Sequence, residues 1–112
     1  FIEIQYCRLP QGTAIHQIVS VDSIEHWKND SLYVFGDDVD VFFQNYGHII
    51  TGGVYNNETR GPMDLFGINF YSREQAASIW KRLKTETPLD YPVLLKWLME
   101  VEQCLGFYVL GV

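Results

Sequence analysis

The sequence predicts an α+β domain: a mainly antiparallel sheet arranged as a meander, two consecutive helices packed on one face, and a C-terminal strand. Three observations predict it. Short β-branched and aromatic runs separated by turn residues fill the positions before Ser72. Two amphipathic patterns follow, over about 73–84 and 91–105. The chain then reaches Phe107–Leu110, a run too apolar to be left in solvent. With 112 residues, 47% of them hydrophobic and 20% charged, one domain over 1–112 can bury a continuous core.

The first element is Ile2 to Arg8, where apolar and polar side chains alternate with the period of a half-buried strand. Leu9-Pro10-Gln11-Gly12 breaks it. Ala14 to Val19 reads as a second strand pairing back on the first, or as a helical turn. Ser23 to Trp27 reads as a short helix or turn, capped by Asp22 or Ser23. Leu32–Phe35 and Val39–Phe43 are β-branched or aromatic around Gly36-Asp37-Asp38, which predicts a hairpin with acids at its tip. Asn45-Tyr46-Gly47 supplies a further turn, His48–Thr51 a third strand, and Gly52-Gly53 a bulge or bend.

Asn56 to Pro62 is a loop on composition, because every residue in it favours a turn or prefers water. Leu65–Tyr71 follows as another strand. Ser72-Arg73-Glu74-Gln75 fits a capping box and opens the first helix, whose apolar positions Ala76, Ile79, Trp80 and Leu83 recur every three or four residues. Asp90 is the expected cap of the second helix, with Pro92 in its first turn and Leu94, Trp97, Leu98, Val101 and Leu105 as its apolar stripe. Gly106 is expected to end it as a C′ residue.

Net charge is −6, and its distribution carries more than its total. Residues 1–71 hold nine acids against three bases, whereas residues 72–112 are balanced at five and five. No Lys or Arg lies between Lys28 and Arg60, a gap that contains Asp30, Asp37, Asp38, Asp40 and Glu58. Such a surface repels nucleic acid and attracts a basic protein partner, or else simply keeps a small protein in solution. No apolar run reaches membrane length and no basic-then-apolar signal segment opens the chain. A cytoplasmic protein without membrane association, a monomer or weak dimer, is the expectation.

No catalytic motif emerges, and no catalytic residue, cofactor or metal is expected. Cys7 and Cys104 lack CxxC spacing and are expected as reduced, buried thiols. His16, His26 and His48 form no HxH, HxxxH or HExxH pattern, so packing or exposure is their expected role; a His16–His48 pair acting as in a ribonuclease is the open alternative. Asp37, Asp38 and Asp40 lack the alternating ligands and terminal glutamate of an EF-hand loop, and they read as a solvated tip or an electrostatic docking patch. Gly52-Gly53 belongs to neither a GxxxxGK(S/T) nor a GxGxxG phosphate loop. Among the abundant aromatics, Trp27, Tyr33, Tyr46 and Tyr55 fall near the acids, where Tyr and Trp serve as interface anchors. The candidate partner-binding set is Asp37, Asp38, Asp40, Glu58, Tyr46 and Tyr55.

Phe66 to Tyr71, the Ser72–Gln75 cap, Asp90-Tyr91-Pro92 before Leu94 to Leu98, and the closing Gly106 to Gly111 together resemble the ending of bacterial immunity proteins, including those of contact-dependent growth inhibition systems. The resemblance covers about residues 65–112. It implies a protein that binds a cognate toxin domain, often a nuclease, and blocks its active site or substrate path. An acidic first part suits that role, since nucleases present cationic surfaces to phosphate backbones. The competing expectations are a small enzyme or ligand-binding domain with a pocket between sheet and helices, and a homo-oligomeric scaffold joined through a sheet edge.

Overall fold

The computed structural model describes residues 1–111. In chain order its strands are β1 (Ile2–Cys7), β2 (Leu32–Val34), β3 (Gly53–Tyr55), β4 (Arg60–Gly61), β5 (Ile68–Ser72) and β6 (Gly106–Gly111). Its helices are α1 (Ile15–Ile18), α2 (Val39–Tyr46), α3 (Arg73–Glu86) and α4 (Tyr91–Leu98). The strands form one antiparallel sheet in the order β2-β1-β6-β5-β3-β4, so the α+β class is as predicted. β1 and β6 lie side by side in the interior of the sheet, paired from Ile2↔Gly111 to Cys7↔Gly106.

Both faces of the sheet are covered. On one, Ile2, Ile4, Tyr6, Tyr71, Phe107 and Val109 pack against Ile79, Leu83, Leu94, Trp97 and Val101 of the helical side. On the other, Cys7, Phe70, Tyr108 and Leu110 pack beneath Ile18 and Val19. The alternation in β1 therefore does not separate core from solvent, because all six of its residues are buried, Glu3 and Gln5 included.

The first helix of the predicted pair forms as expected. Ser72 Oγ accepts the Gln75 backbone N–H at 3.1 Å, and Gln75 Oε1 accepts the Ser72 N–H at 2.9 Å. The second is shorter than predicted: α4 ends at Leu98 and a 3-10 stretch, Met99–Gln103, replaces the rest. Leu98, Val101 and Cys104 are all buried, and their spacing of three keeps them in line at three residues per turn. Asp90 adopts φ 57° and makes no side-chain cap, so Pro92 in the first turn is the local start signal.

Three sequence expectations are corrected, and of the two readings of Ala14–Val19 the helical turn is the one that forms. Val39–Phe43 is not a strand but the start of α2, because Val39, Phe42 and Tyr46, spaced three and four apart, turn one face to the core. Ala14–Val19 contains the single turn α1, with Ile18 and Val19 as its buried side. His48–Thr51 is not a strand either. The N–H groups of Ile49 and Ile50 both donate to the Tyr46 carbonyl, at 2.9 and 2.8 Å, continuing the helix end as a turn. Gly106 does not cap a helix. It lies in β6, where a Cβ would sit 2.2 Å from the Tyr71 carbonyl oxygen.

The segment 56–62 is likewise more ordered than its composition suggests. It closes the β3–β4 hairpin, with Tyr55 N–H donating to the Thr59 carbonyl at 2.8 Å and Asn57 Oδ1 accepting from the Thr59 backbone and hydroxyl. Asn56 Nδ2 donates to the Val19 carbonyl at 2.8 Å, tying the hairpin to the layer that carries α1.

Candidate interaction surface

Asp37 and Asp38 lie in a 3-10 turn, Gly36–Asp38, that runs directly into α2, and Asp40 lies in the first turn of that helix. All three are exposed, and the helix macrodipole favours carboxylates at this end. Among the described residues none of the three is in an ion pair: Arg8 is held by Asp30 at 2.7 Å, Lys28 by Glu25 at 3.2 Å and Arg82 by Glu86 at 2.7 Å. Of the cations nearest in sequence, Lys28 is thus engaged with Glu25, and Arg60 donates to the Gly52 carbonyl at 3.2 Å.

The other predicted site residues do not join this cluster. Glu58 sits in the β3–β4 turn at φ 68°, on the edge of the sheet opposite to β2, from which the aspartates follow. Five strand spacings, about 24 Å, separate the two edges. Tyr46 is buried in the helical-side core, where its hydroxyl donates to the Leu89 carbonyl. Tyr55 is half-buried in the far hairpin and donates to the Pro62 carbonyl at 2.5 Å. The structure therefore keeps Asp37, Asp38 and Asp40 together, places Tyr46 buried at the other end of the same helix, where it lines a cleft that Asp38 also borders, and removes Glu58 and Tyr55 to the opposite edge.

What adjoins the aspartates is an apolar cleft of about 370 Å³ between β2, α2 and the start of α4. Leu32, Val34 and Phe42 line it, and the exposed Val41, Leu89 and Val93 border it together with Asp38 and Asp90. A second groove, between α3 and the Met99–Gln103 stretch, has mixed charge along its walls, with Arg73 and Lys81 beside Glu74 and Glu102. Apolar surface and uncompensated negative charge thus coincide at the β2 edge.

On the opposite face of that edge lies a feature the sequence did not announce. Glu3, with no exposed surface, accepts the Trp27 backbone N–H at 3.0 Å on one carboxylate oxygen; the other accepts the Lys28 N–H at 3.1 Å, Ser31 Oγ at 2.7 Å and Gln5 Nε2 at 3.1 Å. His26 Nδ1 lies 3.3 Å from the first oxygen. Burial by itself raises a carboxyl pKa, yet the hydrogen bonds from Ser31, Trp27, Gln5 and Lys28 outweigh it and hold Glu3 below its ordinary value. The carboxylate gathers residues 26–31 into a fixed loop.

That loop presents Trp27 at φ 64°, a conformation that costs a bulky L-residue about 1–3 kcal/mol, with 59% of its surface exposed. Its ring lies 4.5 Å from Phe1 and 5.4 Å from Tyr33, and Tyr33 lies 6.0 Å from Phe35, itself 55% exposed. The result is a run of stacked rings on the outer side of β1 and β2. Trp27 and Tyr33 were visible in the sequence as aromatics near the acids. Their assembly depends on Glu3, and the only signal for that was an acid in a strand whose neighbours are apolar.

The groups with potential chemistry are dispersed. His48 pairs with Glu86 at 2.7 Å on the helical face, whereas His16 lies on α1 across the sheet, so the two do not form a pair. Cys7 and Cys104 are both free and buried. Cys7 Sγ donates to the Tyr108 hydroxyl at 3.5 Å, which in turn donates to the Ile18 carbonyl at 2.6 Å, and burial pushes the Cys104 thiol above its ordinary pKa. Among the described residues no three His, Cys, Asp or Glu side chains are grouped as metal ligands, and no helix is long and apolar enough to cross a membrane. No protein-family model, no curated protein and no solved structure matches this chain.

Proposed function

We propose that this protein is an immunity protein that binds a basic partner, a cognate bacterial toxin domain of nuclease type, in the cytoplasm and blocks it by occupation rather than by catalysis. The observation that carries the reading is the coincidence at one sheet edge of three aspartates without an ion-pair partner among the described residues and an apolar cleft bordered by Val41, Leu89 and Val93. Desolvated apolar anchors inside a charged rim are what a specific interface needs. The carboxylates speed encounter with a cationic surface, and the cleft supplies the burial that slows release. Glu58 has no part in this surface.

Two measurements test it. The immobilised protein, exposed to host lysate at low ionic strength, is expected to retain a basic nuclease whose activity it inhibits. Association is expected to slow at least about tenfold between ~20 and ~200 mM salt, and by a similar factor in an Asp37→Asn, Asp38→Asn, Asp40→Asn triple variant. Retention of only neutral or acidic proteins, or an on-rate indifferent to salt and to the triple variant, sinks the proposal.

A ligand-binding domain is the alternative, and one observation favours it: the same cleft has the size and apolar lining of a small-molecule site, with Asn45, Asp38 and Asp90 as its polar groups. Filling the cleft by Val93→Phe separates the two. Binding of a small molecule that is lost in Val93→Phe, with no nuclease inhibited by either form, favours the alternative.

A further inference from the structure

We propose that the stacked rings of Trp27, Tyr33 and Phe35 are a seat for an arginine guanidinium presented by a basic protein partner. This rests on the basic-partner reading above, and it names the chemical group and the face of the β2 edge that the reading leaves open.

Three observations converge on it. First, Trp27 holds a left-handed backbone conformation, φ 64°, and is kept there by a buried carboxylate that accepts its N–H. Strain that the surrounding structure over-determines, at an exposed aromatic, marks a position maintained for contact rather than for packing. Second, the rings contact one another and Phe1, 4.5 Å from Phe1 to Trp27, 5.4 Å from Trp27 to Tyr33 and 6.0 Å from Tyr33 to Phe35, while Trp27 and Phe35 stay more than half exposed. Third, the chain runs from Phe35 straight into Gly36-Asp37-Asp38, and no lysine or arginine follows until Arg60. Exposed rings whose chain continues within two residues into carboxylates that are in no ion pair among the described residues have the chemistry of a cation site.

The protein already contains a small version of the arrangement. The Arg8 guanidinium lies 4.9 Å from the centre of the Tyr6 ring and contacts the Asp30 carboxylate at 2.7 Å. Arginine fits the platform better than lysine, because a planar guanidinium stacks on a ring while its edge N–H groups remain free for a carboxylate fork. Nucleobases would stack on the same rings, but a net charge of −6 repels their phosphates.

The test uses the full chain, labelled with nitrogen-15, and three defined probes: an arginine-rich decapeptide, a lysine decapeptide of equal charge, and the neutral citrulline counterpart of the first. The arginine peptide is expected to shift the Trp27 indole N–H resonance, to bind at least about threefold more tightly than the lysine peptide, and to lose that preference in Trp27→Ala and in Phe35→Ser. The citrulline peptide is expected to leave the spectrum unchanged. Phe35→Ser keeps the test open if Trp27→Ala disturbs the loop.

If the Asp37, Asp38 and Asp40 amides shift while the Trp27 indole does not, the aromatic seat is wrong and the basic-partner reading stands. If no cationic peptide binds even at low salt, both fall together. Equal binding of arginine and lysine peptides, unaffected by either variant, also overturns the seat.

Discussion

The Trp27 backbone N–H donates to Glu3 Oε1 at 3.0 Å, so the position of an exposed ring is set by a carboxylate that solvent does not reach. One acid in the second position of β1, the strand next to the β2 edge, organises residues 26–31 and fixes how that edge meets its surroundings.

Removing that carboxylate leaves the Trp27 and Lys28 N–H groups and the Ser31 hydroxyl without their acceptor. Glu3→Ala is expected to cost about 3 kcal/mol or more, and Glu3→Gln, whose amide turns donors toward donors, about 2 kcal/mol. Urea unfolding midpoints measure both. Early proteolytic cleavage within 25–31 is expected in each variant, ahead of any cleavage in the sheet.

The same residue sets an acid dependence. The folded carboxyl titrates below its ordinary value of 4.5, so the unfolded chain takes up the proton first as pH falls. The stabilisation is fully present above about pH 5.5 and is lost as pH drops through the folded pKa. The gap in unfolding free energy between wild type and Glu3→Gln is expected to narrow over that interval, and a gap that stays constant down to about pH 3 contradicts it.

At alkaline pH the tyrosines dominate. Burial, with Glu100 and Asp30 adding to it, pushes Tyr6 up to about 12; burial and Asp90 push Tyr46 up to about 12. Tyr71 and Tyr108 are raised further, first by burial. A folded pKa above the ordinary 10.0 means that the stabilisation is whole below pH 10 and disappears as pH climbs through the folded values. Tyrosinate absorbance from these four rings is expected to emerge together with loss of near-ultraviolet circular dichroism, not before it.

Gly106 offers a test of strand against cap. A Cβ there would lie 2.2 Å from the Tyr71 carbonyl oxygen and 2.7 Å from the Phe70 ring. Gly106→Ala is expected to cost about 2–3 kcal/mol. Gly106→Asn, which a left-handed C′ position would accept, is expected to cost at least as much.

Local chemistry made part of the fold readable. The Ser72–Gln75 box is written in four consecutive residues, and α3 follows from a stripe repeated along its length. Phe107–Leu110 was recognisable as interior because nothing but a core accepts it. The Val39–Phe43 run was misread because β-branched and aromatic residues favour strands, whereas the deciding spacing of Val39, Phe42 and Tyr46 extends three residues beyond the run. The Asp37–Asp40 cluster was legible as charge, but the presence of Glu58 in it was not testable from order along the chain, since sheet order sends β2 and β4 to opposite edges.

By itself the sequence determined the fold class, the capped helix, the interior final strand and the segregation of negative charge, because each depends on residues within a few positions of one another. Tertiary structure alone decided that Glu3 and Gln5 are internal, that Trp27 is held left-handed beside Tyr33 and Phe35, and that an apolar cleft opens next to Asp38. Those outcomes depend on which surfaces cover β1 and which strand ends at the edge of the sheet, and burial between segments distant along the chain leaves no local periodicity to read.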